Sequence, residues 1–356
     1  MAAAPDGTAA APLQDVYLKP LLMPGAPGDG DVLLAGGPLF FRDCERLERT
    51  PSGVRRARLS AAQAQAQAPE LFDRLVAPRP PIAGLDWSRP AVMAVLNVTP
   101  DSFSDGGRFA AAGDAVAAGR AMLAAGADIV DVGGESTRPG AAAVAEDEEL
   151  ARVAPVLEGL VAAGVPVSID TRRAAVMRAA AGAGVALLND VSALRHDPAS
   201  AAAAAASGLP VVLMHSRGEP DTMAQHARYG AVVLDVCDEL QAAIGHAEAA
   251  GIARRQIILD PGIGFAKTPA QCVALLADLA MLHGLGCPLL VGTSRKSFIP
   301  GIAGAAPADR RLPGSLATLL AARAAGAQMF RVHDVAETRQ ALALWEAIAG
   351  DGGGGR

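Results

Sequence analysis

Pro166 to Asn189 reads PVSIDTRRAAVMRAAAGAGVALLN. A short aliphatic run ends in a carboxylate, an alanine-rich window of helical length follows, and a second aliphatic run ends in an amide. Apolar runs alternating with helical windows are the pattern of βα units around a parallel sheet. Strands buried on both faces read as continuous aliphatic runs, as these do. Working outward, the unit recurs: strand candidates fall at Val92–Val98, Asp128–Val132, Pro166–Asp170, Ala186–Asn189, Val211–His215, Gln256–Asp260, Pro288–Gly292 and Gln328–Val332. Eight strands over roughly 260 residues predict an α/β chain of the (β/α)₈ TIM barrel class. A doubly wound open sheet is the alternative, but the first βα turn lacks the G-x-G-x-x-G of a dinucleotide fold.

The barrel is expected over residues 91–350. Residues 1–90 differ in texture, with the Pro/Gly cluster Met23-Pro24-Gly25-Ala26-Pro27-Gly28, an Ala/Gln tract from Ala61 to Ala68, and Pro78-Arg79-Pro80-Pro81. They read as an N-terminal extension, partly disordered in its first dozen residues or forming a small subdomain.

Composition excludes several classes. With 51% hydrophobic and 19% charged residues, and a mean hydropathy of +0.28, the chain is not intrinsically disordered. A net charge of −6 without a basic run, and only 3% aromatics, argue against nucleic acid as a partner. No signal-peptide pattern and no apolar stretch long enough to span a bilayer stand out, so no membrane association is expected. Cys44, Cys237, Cys272 and Cys287 are scattered and read as buried thiols, which fits a cytoplasmic protein.

The polar residues are in phase. The eight apolar runs end at Asn97, Asp131, Asp170, Asn189-Asp190, His215, Asp260, Gly292-Thr293-Ser294-Arg295-Lys296 and Arg331-Val332-His333-Asp334. In a barrel these ends converge on one face, where catalytic groups gather. One polar strand end is usually a cap or a turn; eight in phase argue for a site. Asp170, Asn189, Asp260 and Lys296 offer the acceptors and donors that hold a flat heterocycle. Arg331 and His333, two apart on one strand, with Arg138 in the loop Gly133-Gly134-Glu135-Ser136-Thr137-Arg138-Pro139-Gly140, suit an anion. A Schiff base at Lys296 is disfavoured, because the residue follows its strand and does not sit in an apolar run that would lower its pKa.

Quoted together, the segments Leu96-Asn97-Val98-Thr99-Pro100-Asp101-Ser102-Phe103-Ser104-Asp105-Gly106-Gly107, Asp131 to Gly140, Ser168-Ile169-Asp170-Thr171, Asn189-Asp190-Val191, Asp260 to Phe265, Ser294-Arg295-Lys296-Ser297 and Arg331 to Val335 carry a resemblance. In order and over about residues 91–345, the chain resembles the dihydropteroate synthases of folate biosynthesis. That resemblance implies condensation of (7,8-dihydropterin-6-yl)methyl diphosphate with 4-aminobenzoate by an S_N1-like displacement. It implies Mg²⁺ held on the diphosphate by Asn97, and diphosphate oxygens bound by Thr137, Arg138, Arg331 and His333. The pterin would lie against Asp170, Asn189, Asp260 and Lys296, and the aminobenzoate near Phe265, Pro139 and Ser294. Lys296, Arg331 and His333 would be catalytic, and a homodimer is implied.

Two departures stand out: Met214-His215-Ser216-Arg217 where the family often has Met-His-Met-Gln, and Ile263 where many members have Phe. Two rivals share the barrel. A pterin-binding methyltransferase domain would not need the diphosphate loop or the Arg331/His333 pair. A non-catalytic pterin-binding homologue would have lost motif residues from the first two loops, which are intact here.

Overall fold

The computed structural model describes residues 16–98, 107–136, 144–304 and 306–350. The expectation for the first dozen residues therefore lies outside the described residues, as do Thr137, Arg138 and Pro139 of the anion-binding loop.

The chain opens with an antiparallel sheet of β1 (Val16–Met23), β2 (Val32–Leu33), β3 (Phe40–Thr50) and β4 (Gly53–Ser60). Strand β1 runs along one edge of β3, while β2 and then β4 share the other. Helices α1 (Ala61–Gln67) and α2 (Pro69–Val76) follow. The first starts at a capping box in which Gln63 N–H donates to Ser60 Oγ and the Ser60 N–H donates to the Gln63 side chain. The Ala/Gln tract is thus a helix, buried only at Ala61 and Ala64.

Then the barrel begins. Its strands are β5 (Ala91–Asn97), β6 (Ile129–Gly133), β7 (Val167–Asp170), β8 (Leu187–Asp190), β9 (Val211–Met214), β10 (Ile257–Asp260), β11 (Leu290–Val291) and β12 (Met329–Val332). Between and after them run α3 (Gly107–Ala124), α4 (Glu146–Ala162), α5 (Ala174–Ala183), α6 (Ser200–Ser207), α7 (Val232–Ala249), α8 (Pro269–Ala277), α9 (Phe298–Ala303), α10 (Leu312–Ala324) and α11 (Val335–Ala349). All eight strands are parallel, in the order β10-β9-β8-β7-β6-β5-β12-β11. A parallel bridge between Leu259 and Leu289, with Leu259 N–H donating to Pro288 O at 2.9 Å, joins the two ends and closes the ring. The eight sequence-derived runs each overlap their strand, with ends that coincide with it or differ by at most two residues.

Side chains alternate along each strand, and here the alternation builds two layers inside the barrel. Met93, Ile129, Leu187, Val212, Ile258, Leu290 and Met329 pack together in one apolar cluster with Ile82 and Trp87. The turn from Ile82 to Leu85 and the Trp87 ring, anchored by Nε1–H donating to Pro80 O at 2.8 Å, plug the N-terminal end. Two residues further along, the same strands carry Asp131, Asn189, Asp260 and Arg331. A separate, larger cluster outside the ring packs strand faces against the helices, for example Val92, Val130, Ile169 and Leu188 against Val153, Val176 and Leu240.

The N-terminal sheet docks on α7 and on the segment before β11 through ion pairs. Tyr17 donates to Asp238 at 2.8 Å, and Arg49 reaches Asp235 at 2.8 Å and Asp238 at 2.7 Å. Lys19 and Arg56 both bind Asp278, at 2.8 and 3.1 Å. The four cysteines are buried and free, as their spacing suggested. Among the described residues no helix is long and apolar enough to cross a membrane.

Arg49→Met leaves two largely buried carboxylates facing each other across the docking surface. We expect it to lower the unfolding free energy by about 1–3 kcal/mol, read as a lower urea midpoint with an unchanged slope.

Candidate functional site

The polar layer lies at the C-terminal end of the barrel, and its centre is a guanidinium. Arg331 sends Nε to Asp131 Oδ2 at 2.6 Å and Nη2 to Asp170 Oδ2 at 2.8 Å. Asn189 Nδ2 donates to the same Asp131 oxygen at 3.0 Å. Strands β6, β7, β8 and β12 thereby meet at one point. The sequence sorted Arg331 with the anion binders and Asp170 with the heterocycle binders; the structure joins them in one ion pair. Asp131 was visible as a strand end but not as a member of the cluster, and its signal was the same in-phase position that picked out its neighbours.

The cluster is left partly open. Asp131 Oδ1 and Asp170 Oδ1 are buried and take no hydrogen bond. Buried acceptors without donors are costly, so this mouth is suited to a ligand that brings N–H groups. Burial pushes the Asp170 carboxyl up to about 7, with Arg331 opposing and Asp131 reinforcing the rise. Asp260, also buried, takes the Gly262 N–H on Oδ1 at 2.7 Å; its carboxyl is likewise raised by burial, against that hydrogen bond and the charge of Lys296.

Lys296 lies with Nζ 4.0 Å from the centre of the Phe265 ring, a cation–π contact. Its loop is stiffly held. Arg295 adopts φ +57°, its N–H donates to Ser315 Oγ at 2.8 Å, its carbonyl accepts from Arg311 at 2.9 Å, and its guanidinium pairs with Asp334. Nearby, Ser294 Oγ accepts the His333 N–H at 3.2 Å and lies 3.0 Å from His333 Nδ1. The hydroxyl has one hydrogen and two lone pairs, so either tautomer of the ring satisfies this contact; the one with its proton on Nε2 donates to an anion.

At the base of the loop after β6, Glu135 accepts from Val144 N–H at 3.0 Å, from Arg173 at 3.0 Å and from Arg172 at 3.3 Å. Burial would raise its carboxyl, but these partners hold it below the usual range.

Phe265 belongs to a turn that packs on the end of β9. Lys267 is buried beneath it, bonded to His215 Nδ1, Gly262 O and Phe265 O. Burial pulls its ammonium down to about 7. It also pulls His215 down to about 4, keeping the imidazole neutral. Ser216 and Arg217, the departing pair, are placed here too. Arg217 pairs with Glu239, its guanidinium 3.9 Å from the Tyr229 ring centre. Sequence reading singled out neither Lys267 nor Glu239. A cavity of about 460 Å³ opens beside Phe265, lined among others by Val191, Arg195, Arg217 and Met223.

Asn97 ends β5. A Cβ added at Gly133 would stand 3.9 Å from Asn97 Oδ1 and 3.7 Å from Asp170 Oδ2, so the glycine keeps open the space between the two side chains.

The chain is similar to known proteins in sequence and fold. A family model described as pterin binding enzyme matches residues 93–333. The dihydropteroate synthase of Escherichia coli (strain K12) is 47% identical over 264 residues, 74% of this chain and 93% of that protein. The solved Xanthomonas albilineans dihydropteroate synthase with 4-aminobenzoic acid superposes with a TM-score of 0.70 at 48% identity, covering 75% of this chain and 96% of that one. The same organism's enzyme in complex with 7,8-dihydropteroate gives 0.67 at 45%, covering 74% and 94%.

The raised Asp170 carboxyl has a sign that can be read. A carboxyl that rises from 3.8 to about 7 on folding binds a proton in the folded state that the unfolded chain has released. Its contribution is therefore present below pH ~4 and lost as pH climbs to ~7. Without ligand, the melting temperature of the unmutated protein minus that of Asp170→Asn should fall as pH is raised across this window. A difference that rises with pH would refute the assignment.

Proposed function

We propose how the mouth of this barrel works in a chain that belongs to the pterin-binding enzyme family and, within it, to the dihydropteroate synthases. The chain condenses (7,8-dihydropterin-6-yl)methyl diphosphate with 4-aminobenzoate, forming 7,8-dihydropteroate and diphosphate. The observation that carries the reading is the open polar layer, with two unpaired carboxylate oxygens beside Arg331 and Asn189.

In our reading, the pterin enters edge first. Its N–H and NH₂ groups satisfy Asp170 and Asp260, while Asn189 supplies its side-chain carbonyl and Lys296 donates to the ring carbonyl. Arg331 stays anchored to Asp131 and Asp170 and presents its charge to the diphosphate side of the ring, where His333 Nε2–H, Thr137 and Arg138 bind phosphate oxygens. The C–O bond to diphosphate breaks and its electron pair leaves with the diphosphate. The resulting pterin-methyl cation is favoured by the nearby carboxylates. The aminobenzoate nitrogen, held near Phe265, Pro139 and Ser294, then forms the C–N bond and releases a proton. No enzyme atom becomes covalently attached.

Mg²⁺ completes the reading. Asn97 offers one hard oxygen at the rim of the space that Gly133 leaves open, and among the described residues no cluster of three or more His, Cys, Asp or Glu competes for a metal. A site with one protein oxygen suits a cation bound mainly through substrate phosphates and water. When bound there, Mg²⁺ neutralises diphosphate charge and so improves the leaving group.

We further infer a cytoplasmic homodimer. Four reduced, buried thiols support the compartment. Val273 on α8 and Ile302 on α9, both exposed, support an apolar meeting face on the barrel helices. Sedimentation velocity checks the dimer, and a monomer at micromolar concentration would overturn it.

Kinetics test the chemistry. With Mg²⁺ and both substrates, the unmutated protein should form 7,8-dihydropteroate, Lys296→Ala should lose about 10²-fold or more in kcat/KM, and Asn97→Ala should demand more Mg²⁺. A pterin-linked lysine recovered after borohydride treatment and denaturation would refute the S_N1-like route.

A further inference from the structure

The proposed chemistry gives no task to Lys267, buried beside the mouth. Lys267 is 9% exposed, and its ammonium nitrogen lies 2.8 Å from His215 Nδ1, 3.0 Å from Gly262 O and 3.0 Å from Phe265 O, with His215 O further off at 3.5 Å. A lysine stem is flexible, but an ammonium committed to three directions is fixed in space. Two of those acceptors are the ends of the turn that follows Asp260.

The same turn is held from its other side. Gly262 N–H donates to Asp260 Oδ1 at 2.7 Å. Gly262 has φ +65°, and a Cβ there would stand 1.9 Å from the His215 carbonyl oxygen, so the turn is pressed against the end of β9 as closely as backbone allows. The segment 262–265 thus hangs between a carboxylate at its start and an ammonium beneath its end. Two groups of the site, the Asp260 carboxylate that holds the start of the segment and the Phe265 ring beside Lys296, depend on this suspension.

The support continues outward. Because an ammonium only donates, His215 Nδ1 must accept, and its Nε2–H donates to Glu239 Oε2 at 3.0 Å. Glu239 is gripped by Arg217 Nε at 2.9 Å, and Tyr229 donates to Ala266 O at 3.0 Å. A line of hydrogen bonds runs from α7 through β9 to the turn.

We propose that Lys267 is a positioning residue for both substrates: through the carbonyl of Gly262 it holds the turn that sets the Asp260 carboxylate against the pterin diphosphate, and through the carbonyl of Phe265 it sets the ring beside which the aminobenzoate lies. The inference rests on the pteroate-forming reading above. Lys267 does not touch the reacting atoms.

Lys267→Met keeps the length of the stem and removes the tripod. The KM for the pterin diphosphate should rise about tenfold, with a parallel rise in its Kd measured by quenching of pterin fluorescence. The KM for 4-aminobenzoate, which lies near Phe265, should rise as well, by several-fold. A merely structural role would lower the melting temperature and kcat with both KM values unchanged, and that result overturns the proposal. If Lys267→Met does not fold, the pair His215→Leu and His215→Asn decides. Leu removes one leg of the tripod, whereas Asn returns an oxygen close to Nδ1, so Leu should raise the pterin KM several-fold and Asn should recover most of it. Equal effects of the two overturn the proposal. Absence of turnover in the unmutated protein would defeat the pteroate-forming reading and this inference with it; turnover with an unshifted pterin KM in Lys267→Met defeats the inference alone.

Discussion

One guanidinium inside the barrel governs the rest. Arg331 enters from β12 and is answered by Asp131 from β6 and Asp170 from β7, residues 200 and 161 positions away in the chain. Burial alone would weaken the charge on Arg331, but the two carboxylates more than compensate and hold it protonated. Two acids against one base leave an excess of acceptors, and burial keeps that excess from water. The structure carries the cost of buried, incompletely bonded carboxylate oxygens, and that same deficit is what a heterocycle with N–H groups relieves. Stability is spent where binding recovers it.

The cluster exists because strand alternation is faithful all round the ring. Ile129 and Asp131, Leu187 and Asn189, Ile258 and Asp260, Met329 and Arg331 are each two residues apart on their strands, and the first of each pair belongs to the interior apolar cluster. A slip of one residue in any strand would turn its polar group toward the helices. The apolar layer and its Trp87 plug therefore do more than fill space. They set the register in which the polar layer can face inward.

Much of this was legible in the residues. Continuous aliphatic runs fixed the number and order of the barrel strands, because strands buried on both faces carry no polar alternation to confuse them. The polar residue at each strand end marked the site for the same reason. Other features were hidden for physical reasons. The ion pairs of Arg331 were hidden because nothing local reveals partners 161 and 200 residues away; they exist only once the ring closes. Lys267 lies in a turn, where a lysine is ordinarily a solvated side chain, and its burial depends on the close approach of Gly262 to His215. The N-terminal sheet was unreadable because β3 and β4 hold long runs of charge such as Arg55-Arg56-Ala57-Arg58, and their partners are Asp43, Glu45, Glu48 and Asp278. Thr137 and Arg138 lie outside the described residues, so their part rests on the family alone.

The plug at the lower end has a consequence for traffic. With Ile82 and Trp87 seated across the bottom of the ring, the interior is a vessel with a single door. Whatever fills the deep polar layer must come in over the rim, and the water it displaces must go out the same way. A molecule seated at Asp170 and Asp260 is then overlaid by whatever arrives after it, so the depth of each binding position is also its place in the queue. Departure runs in reverse, and a product that spans both depths must be withdrawn whole through the rim.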